Sequence, residues 1–241
     1  MDRATLEEHD RLEEHHWWFL ARRRIIIERL CRLVPPDKRT LVVEIGCATG
    51  GNLKELVKHY RVLGIEPDAA AAGRAEVKSG AEVLIGALPA AAAMVPPDAS
   101  AILCLDVLEH VEDDVAALRG LHEHMSRGAV LLVTVPAIPS LFGAHDKALG
   151  HYRRYSRSEL AAKLTAGGFP ATVISHFNAL LLPPAWLWRK IRGDRGKGTD
   201  LVVLPTPLNG LLAAVFGMER FLMRICSLPI GLSLLAEAVR D

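Results

Sequence analysis

The chain has 241 residues, half of them hydrophobic, and a formal net charge of +1. That length and apolar content suit one substantial α/β domain with room for a cap, and the balanced charge excludes a general pull toward nucleic acid. The four cysteines (Cys31, Cys47, Cys104, Cys226) are scattered, without metal or disulfide spacing, so a reducing, cytoplasmic setting is expected.

Residues 1–10 are charged and lack the apolar core of a secretory signal. Residues 2–30 read as one or two helices. Acids come first, then the aromatic knot His15-His16-Trp17-Trp18-Phe19, then Arg22-Arg23-Arg24, expected on a solvated face like the later pair Arg153-Arg154. Val34-Pro35-Pro36-Asp37 stops the helix and separates an N-terminal helical cap, 1–36, from the main domain, 37–241. Short apolar runs at 40–45, 61–65, 82–85, 101–105 and 129–135 read as strands, and amphipathic stretches at 52–59, 68–79 and 112–126 as helices. Ser156-Arg157-Ser158-Glu159 is a capping box opening a helix to about 167. Strands follow at 171–175 and 231–239. Between them, 178–228 is too long for a turn and should be an insertion with its own helices. The most apolar region, 201–218, is interrupted by Pro205, Pro207 and Asn209 and does not read as a membrane span. The alternation predicts an α/β fold: a doubly wound, mostly parallel seven-stranded sheet with helices on both faces, N-terminal helices, and a helical insertion before the last strand.

The first strand of that pattern ends Val43-Glu44-Ile45-Gly46-Cys47-Ala48-Thr49-Gly50-Gly51-Asn52, and the second ends Gly64-Ile65-Glu66-Pro67-Asp68. Ligands of open parallel sheets bind at the carboxyl ends of the strands, near the point where strand order reverses. Gly46 and Gly50 suit a sharp turn and close backbone approach, and free amides at the following helix start favour an anionic group. A carboxylate at Glu66 suits the two hydroxyls of a ribose, and Pro67 with Ile65 offers apolar surface to a purine. A dinucleotide fingerprint would need a second glycine where Ala48 stands, and no Gly-Lys-Ser/Thr follows for a phosphate loop.

These segments, with Leu105-Asp106-Val107-Leu108-Glu109-His110-Val111, resemble the class I (Rossmann-like) S-adenosylmethionine-dependent methyltransferases. The resemblance covers roughly 40–175 and the last strand. Arg153, Arg154 and the aromatic knot add similarity to a type 11/type 12-like bacterial subgroup. It implies that S-adenosylmethionine is the cofactor and S-adenosylhomocysteine the product. Glu44, Gly46, Cys47, Gly50 and Asn52 would lie about the methionine and ribose end, with Glu66 and Pro67 at the ribose. Ala87 and Leu88 would flank adenine, and Leu105 and Asp106 the methionine arm. Many relatives carry an acid at the position of Gly86 or Ala87, and this chain has none. His110 is either a cap of the site or a packed histidine. In the subgroup an N-terminal helix folds over the cofactor, where Trp17, Trp18 or Phe19 would meet the sulfonium or merely pack on the sheet.

Methyl transfer from a sulfonium needs neither a metal nor a covalent nucleophile. A general base matters only where the accepting atom must lose a proton. The loop after the fifth strand offers His145 and His151 for that role, with Asp146 to orient one of them. Segment 178–228 is the expected substrate cap. Trp186, Trp188, Phe216 and Phe221 would line it, and Arg189, Lys190 and Arg192 keep open a peripheral contact with anionic headgroups at the inner membrane face. The expected activity is methylation of a small-molecule or lipid-like acceptor at oxygen, in the cytoplasm, without nucleic acid. A nicotinamide-dependent oxidoreductase and a non-catalytic cofactor-binding module are the alternatives.

Overall fold

The structure, a computed structural model, describes residue 7 and residues 10–180 and 204–241. Helix α1 spans Trp17–Leu33. His16 caps it by accepting from the Trp18 amide, and it ends at Val34, where Pro35 and Pro36 cannot continue the ladder. The strands are β1 (Leu41–Ile45), β2 (Arg61–Glu66), β3 (Glu82–Ile85), β4 (Ala99–Leu105), β5 (Val130–Pro136), β6 (Thr172–Phe177) and β7 (Ser233–Val239). Between them lie α2 (Gly51–Leu56), α3 (Ala69–Ser79), α4 (Asp114–His124), α5 (Ala144–Ala148), α6 (Arg157–Ala166), α7 (Thr206–Gly217) and α8 (Glu219–Ile225). Helix α2 stops three residues short of the expected 52–59, because the chain tightens there into turns closed by bonds such as Lys58 N–H to Glu55 C=O.

The seven strands form one sheet in the order β3-β2-β1-β4-β5-β7-β6, with β7 antiparallel to both neighbours and the other pairs parallel. Strand order reverses between β1 and β4, which places the switch point at the tips of those two strands. Every residue of β1 is buried, as expected for a central strand covered on both faces. Its side chains alternate. Leu41, Val43 and Ile45 enter a core with Leu118, Leu121, Leu160 and Phe169, while Val42 enters a second core with Ile25, Leu30, Leu53 and Phe216. Glu44 shares the parity of Val42, so the period of two turns it toward the face that α1 covers.

That face is a joint layer. Trp17 N–H donates to Asn209 Oδ1 of α7 at 2.9 Å, and Asn209 Nδ2 donates to the His15 carbonyl at 2.8 Å. Phe216 lies fully buried between Trp17 and Phe177, so it is core and not the lining of a substrate pocket. Phe221 is half-exposed, with the guanidinium groups of Arg220 and Arg224 over its ring. Trp186, Trp188, Arg189, Lys190 and Arg192 lie outside the described residues. Among the described residues, no helix is long and apolar enough to cross a membrane.

Candidate active site at the carboxyl ends of the strands

The turn after β1 is built on left-handed backbone: Gly46 at φ +73°, Ala48 at +46° and Gly50 at +86°. The two glycines serve packing more directly than the sequence suggests. A Cβ at Gly46 would meet Val107 Cγ2 at 2.5 Å, and one at Gly50 would meet the Ala75 backbone at 2.7 Å. Gly46 thus lets the loop after β4 close on the turn, and Gly50 lets α2 lie against α3. Glu66 closes the turn from the other side. Its Oε2 accepts from Ala48 N–H at 2.9 Å and its Oε1 from Asp68 N–H at 3.1 Å. Each carboxylate oxygen has a further lone-pair direction, so the group still suits a diol. Burial pushes its pKa above the ordinary value.

Pro67 and Ala87 are exposed beside this acid, and Leu88 is partly buried against the core. Ile65 is fully buried and offers no surface to a purine, because its side chain points into the interior. Cys47 is buried beside Gly64, and burial drives its thiol far above the ordinary range, so its side chain acts as a small apolar group. Leu105 is buried in the core under the α1 face.

At the tip of β1, Asn52 Nδ2 donates to Glu44 Oε1 at 2.7 Å. Glu44 is 1% exposed, its Oε2 has no hydrogen-bond partner, and burial pushes its pKa up to about 7. An unsatisfied buried carboxyl oxygen at the switch point is what a polar ligand group would answer. This oxygen, Glu66 and the left-handed turn fit the methionine and ribose ends of the expected cofactor.

The N-terminal segment supplies residues that sequence reasoning missed. Glu13 is buried and accepts from Thr49 Oγ1 at 2.5 Å and from Gly51 N–H at 3.1 Å, so the anion expected at the start of α2 comes from the chain itself. Arg22 and Arg23 are buried and not on a solvated face. Arg22 Nη2 pairs with Asp106 Oδ2 at 2.8 Å and donates to Thr134 Oγ1 at 2.8 Å, and its guanidinium stacks over Trp18. Arg23 Nε donates to Asn52 Oδ1 at 3.2 Å. Their signal was charge at a helical spacing from Leu20 and Ile25, which periodicity alone does not separate from a surface stripe.

Asp106 (φ +58°) ends β4, and Thr134 Oγ1 of β5 donates to its Oδ1 at 2.9 Å. The chain then forms a short turn over Leu108–His110. After β5 a long excursion leaves the sheet and is closed by a bridge between Ala137 and Tyr155. It is strapped across the β4 loop: Tyr152 N–H donates to the Glu109 carbonyl at 2.7 Å, and Arg153 donates to the carbonyls of Val111 and Glu112 and pairs with Asp114. Arg154 is buried and pairs with Asp146 at 2.8 Å. Neither Arg153 nor Arg154 is the freely solvated charge expected from sequence.

This strap brings His151 to His110, ring centroids 4.6 Å apart and nearly perpendicular. Asp146 is 1% exposed. It holds His151 Nδ1 with its Oδ1 at 3.1 Å and accepts from Gly143 N–H with its Oδ2, and Arg154 keeps its carboxyl below the ordinary range despite burial. The acid therefore orients His151 and not its neighbour His145. Burial lowers the pKa of both His151 and His110. Glu109, fully buried beneath them, has an unpartnered Oε2, and burial raises its pKa well above the usual range.

Residues 18–186 match the family model of a methyltransferase domain. No curated protein gives a significant match. Among solved structures, an S-adenosylmethionine-dependent methyltransferase from Thermotoga maritima, described as a possible histamine N-methyltransferase, is similar at a TM-score of 0.60 and 16% identity, over 98% of this chain and 95% of that one. A similar enzyme from Archaeoglobus fulgidus has a TM-score of 0.58 and 16% identity, over 99% and 100%. Phosphoethanolamine N-methyltransferase 2 of Haemonchus contortus, in complex with S-adenosylmethionine, has a TM-score of 0.57 and 15% identity, over 89% of this chain and 52% of that one. At such identities the likenesses establish the fold, and the family follows from the match that runs from α1 past β6. The chain belongs to the methyltransferase-domain family and is an S-adenosylmethionine-dependent methyltransferase of the class I, Rossmann-like fold.

Proposed function

We propose that the chain methylates a hydroxyl oxygen of a small-molecule or lipid-like acceptor, bound between the tips of β4 and β5. S-adenosylmethionine, when bound, supplies a methyl group already activated on a sulfonium. Glu66 is the residue placed for the ribose hydroxyls. Glu44, Gly46, Asn52 and Asp106 border the methionine end, and Pro67, Ala87 and Leu88 border the adenine end. The observation that carries the reading is the group of side chains beyond Asp106. His151, aligned by Asp146, keeps an unprotonated ring nitrogen at the acceptor side of the cleft. A neutral amine is already nucleophilic, whereas a hydroxyl must lose its proton as its oxygen takes the methyl group. A nitrogen lone pair fixed in place at that point suits a hydroxyl.

The residues α1 contributes close the cleft on one side and exclude water from it. Arg22 locks the helix to Asp106 and Thr134. Two structural neighbours are named for small amine substrates, which supports a small acceptor. The described edge of the 178–228 insertion, with α7 and α8 on α1, supports a cap over the acceptor side, and a peripheral membrane contact through this segment in the cytoplasm belongs to the same reading. The test is transfer of a labelled methyl group to a panel of hydroxyl, amine and phospholipid acceptors. Label in an alkali-stable ether is the expected result, and label confined to amines overturns the assignment to oxygen.

A further inference from the structure

We infer that Glu109, His110 and His151 form a binding site for one divalent transition-metal ion at the acceptor end of the cleft. Each residue offers a ligand atom, and these atoms lie within 4.8 Å of one another. Ligands opposite each other across an ion with bonds of about 2.1 Å are ~4.2 Å apart, so small side-chain movements bring this set to bonding distance. Two imidazoles and one carboxylate on one side of an ion, with open positions opposite, are a donor set for manganese, iron, cobalt or zinc rather than for magnesium or calcium, which favour oxygen ligands.

Two further observations point to an ion. Glu109 is 1% exposed and its Oε2 has no hydrogen-bond partner, which is costly in a finished core and is answered by a cation. Both imidazoles also have the outer support that metal-ligating histidines show: Asp146 holds His151 Nδ1, and the Gly150 carbonyl holds the His110 ring. One nitrogen of each ring is thereby fixed as a donor, and the other is left with its lone pair. His110 is exposed and His151 partly buried, so the cluster is open to solvent on one side.

The inference rests on the proposed function only for the use of the site. There, an ion on the open positions would hold the acceptor's hydroxyl and lower its pKa. The hydroxyl proton passes to solvent, the oxygen gains the methyl group, and the carbon–sulfur bonding pair stays with sulfur, so the ion changes no oxidation state. This departs from the expectation that no metal is needed, because the cluster joins residues about 40 positions apart that no motif connects.

The test uses the untagged full chain, stripped with EDTA, and the metal alone. Cobalt(II) is followed by its visible absorption and manganese(II) by its electron paramagnetic resonance. One ion per chain is expected. Glu109→Gln, His110→Ala and His151→Ala should each weaken binding at least about tenfold, and Asp146→Asn roughly 10- to 100-fold through the orientation of His151. His110→Ala, at the open edge, disturbs the fold least, and thermal melting checks every variant. Absence of saturable one-to-one binding, or equal binding by all variants, overturns the inference. Neither donor nor acceptor enters this titration, so a failed donor site leaves it standing. Likewise, Glu66→Ala should keep full metal affinity.

Discussion

The two ends of the cleft are built on different plans. At the donor end, a run from Glu44 to Asn52 and a single acid, Glu66, face each other across neighbouring parallel strands in register, Glu44 beside Gly64 and Ile45 beside Ile65. Backbone shape does most of the work there, through three left-handed residues and two amides held by Glu66. At the acceptor end, side chains from the β4 loop and the β5 excursion are gathered by salt bridges and backbone bonds, with Arg22 of α1 alongside. A site built on backbone should tolerate few substitutions at its turn, while a gathered site should lose function residue by residue with its fold intact.

The sharpest way to break this contrast is Gly46→Val. A branched side chain at φ +73°, meeting Val107 at once, costs ~2–3 kcal/mol of strain. Donor binding should vanish from calorimetry with S-adenosylhomocysteine while circular dichroism keeps its folded signal. Retained binding would show that the turn is not what shapes the pocket. Glu66→Ala comes next. Loss of two charge-assisted hydrogen bonds should weaken the donor by about 100-fold, or ~3 kcal/mol, in the same titration.

Glu44→Gln probes the cost of the donor end. A carboxyl whose pKa is about 7 in the fold and 4.5 in the open chain binds more protons when folded. Its burden on stability is absent below pH 4.5, grows as pH rises through the window to 7, and is full above it. The amide should therefore raise the melting temperature of the donor-free protein at pH 8, by up to ~3 kcal/mol, and change nothing near pH 4. A flat difference across that range would remove burial as the cause. The smallest effect is expected at the other end. Asp146→Asn should lower turnover by about tenfold and leave donor affinity unchanged, because His151 loses the carboxylate that fixes its ring. A drop in donor affinity instead would tie the two ends into one unit.

The sequence by itself determined the strand–helix alternation, the glycine turn, the acid at the end of β2 and the capping box of α6. These depend on local periodicity, on backbone conformations that few residues adopt, and on contacts within a few positions. Tertiary structure alone decided which charges are buried. Arg22, Arg23, Arg153 and Arg154 read as solvated runs, yet their partners Asp106, Asn52, Asp114 and Asp146 arrive by sheet pairing and loop closure. Glu13 at the start of α2 and the meeting of Glu109 and His110 with His151 are likewise invisible in one dimension. Burial and pairing of charge are properties of distant segments brought together, and no local pattern records which segments will meet.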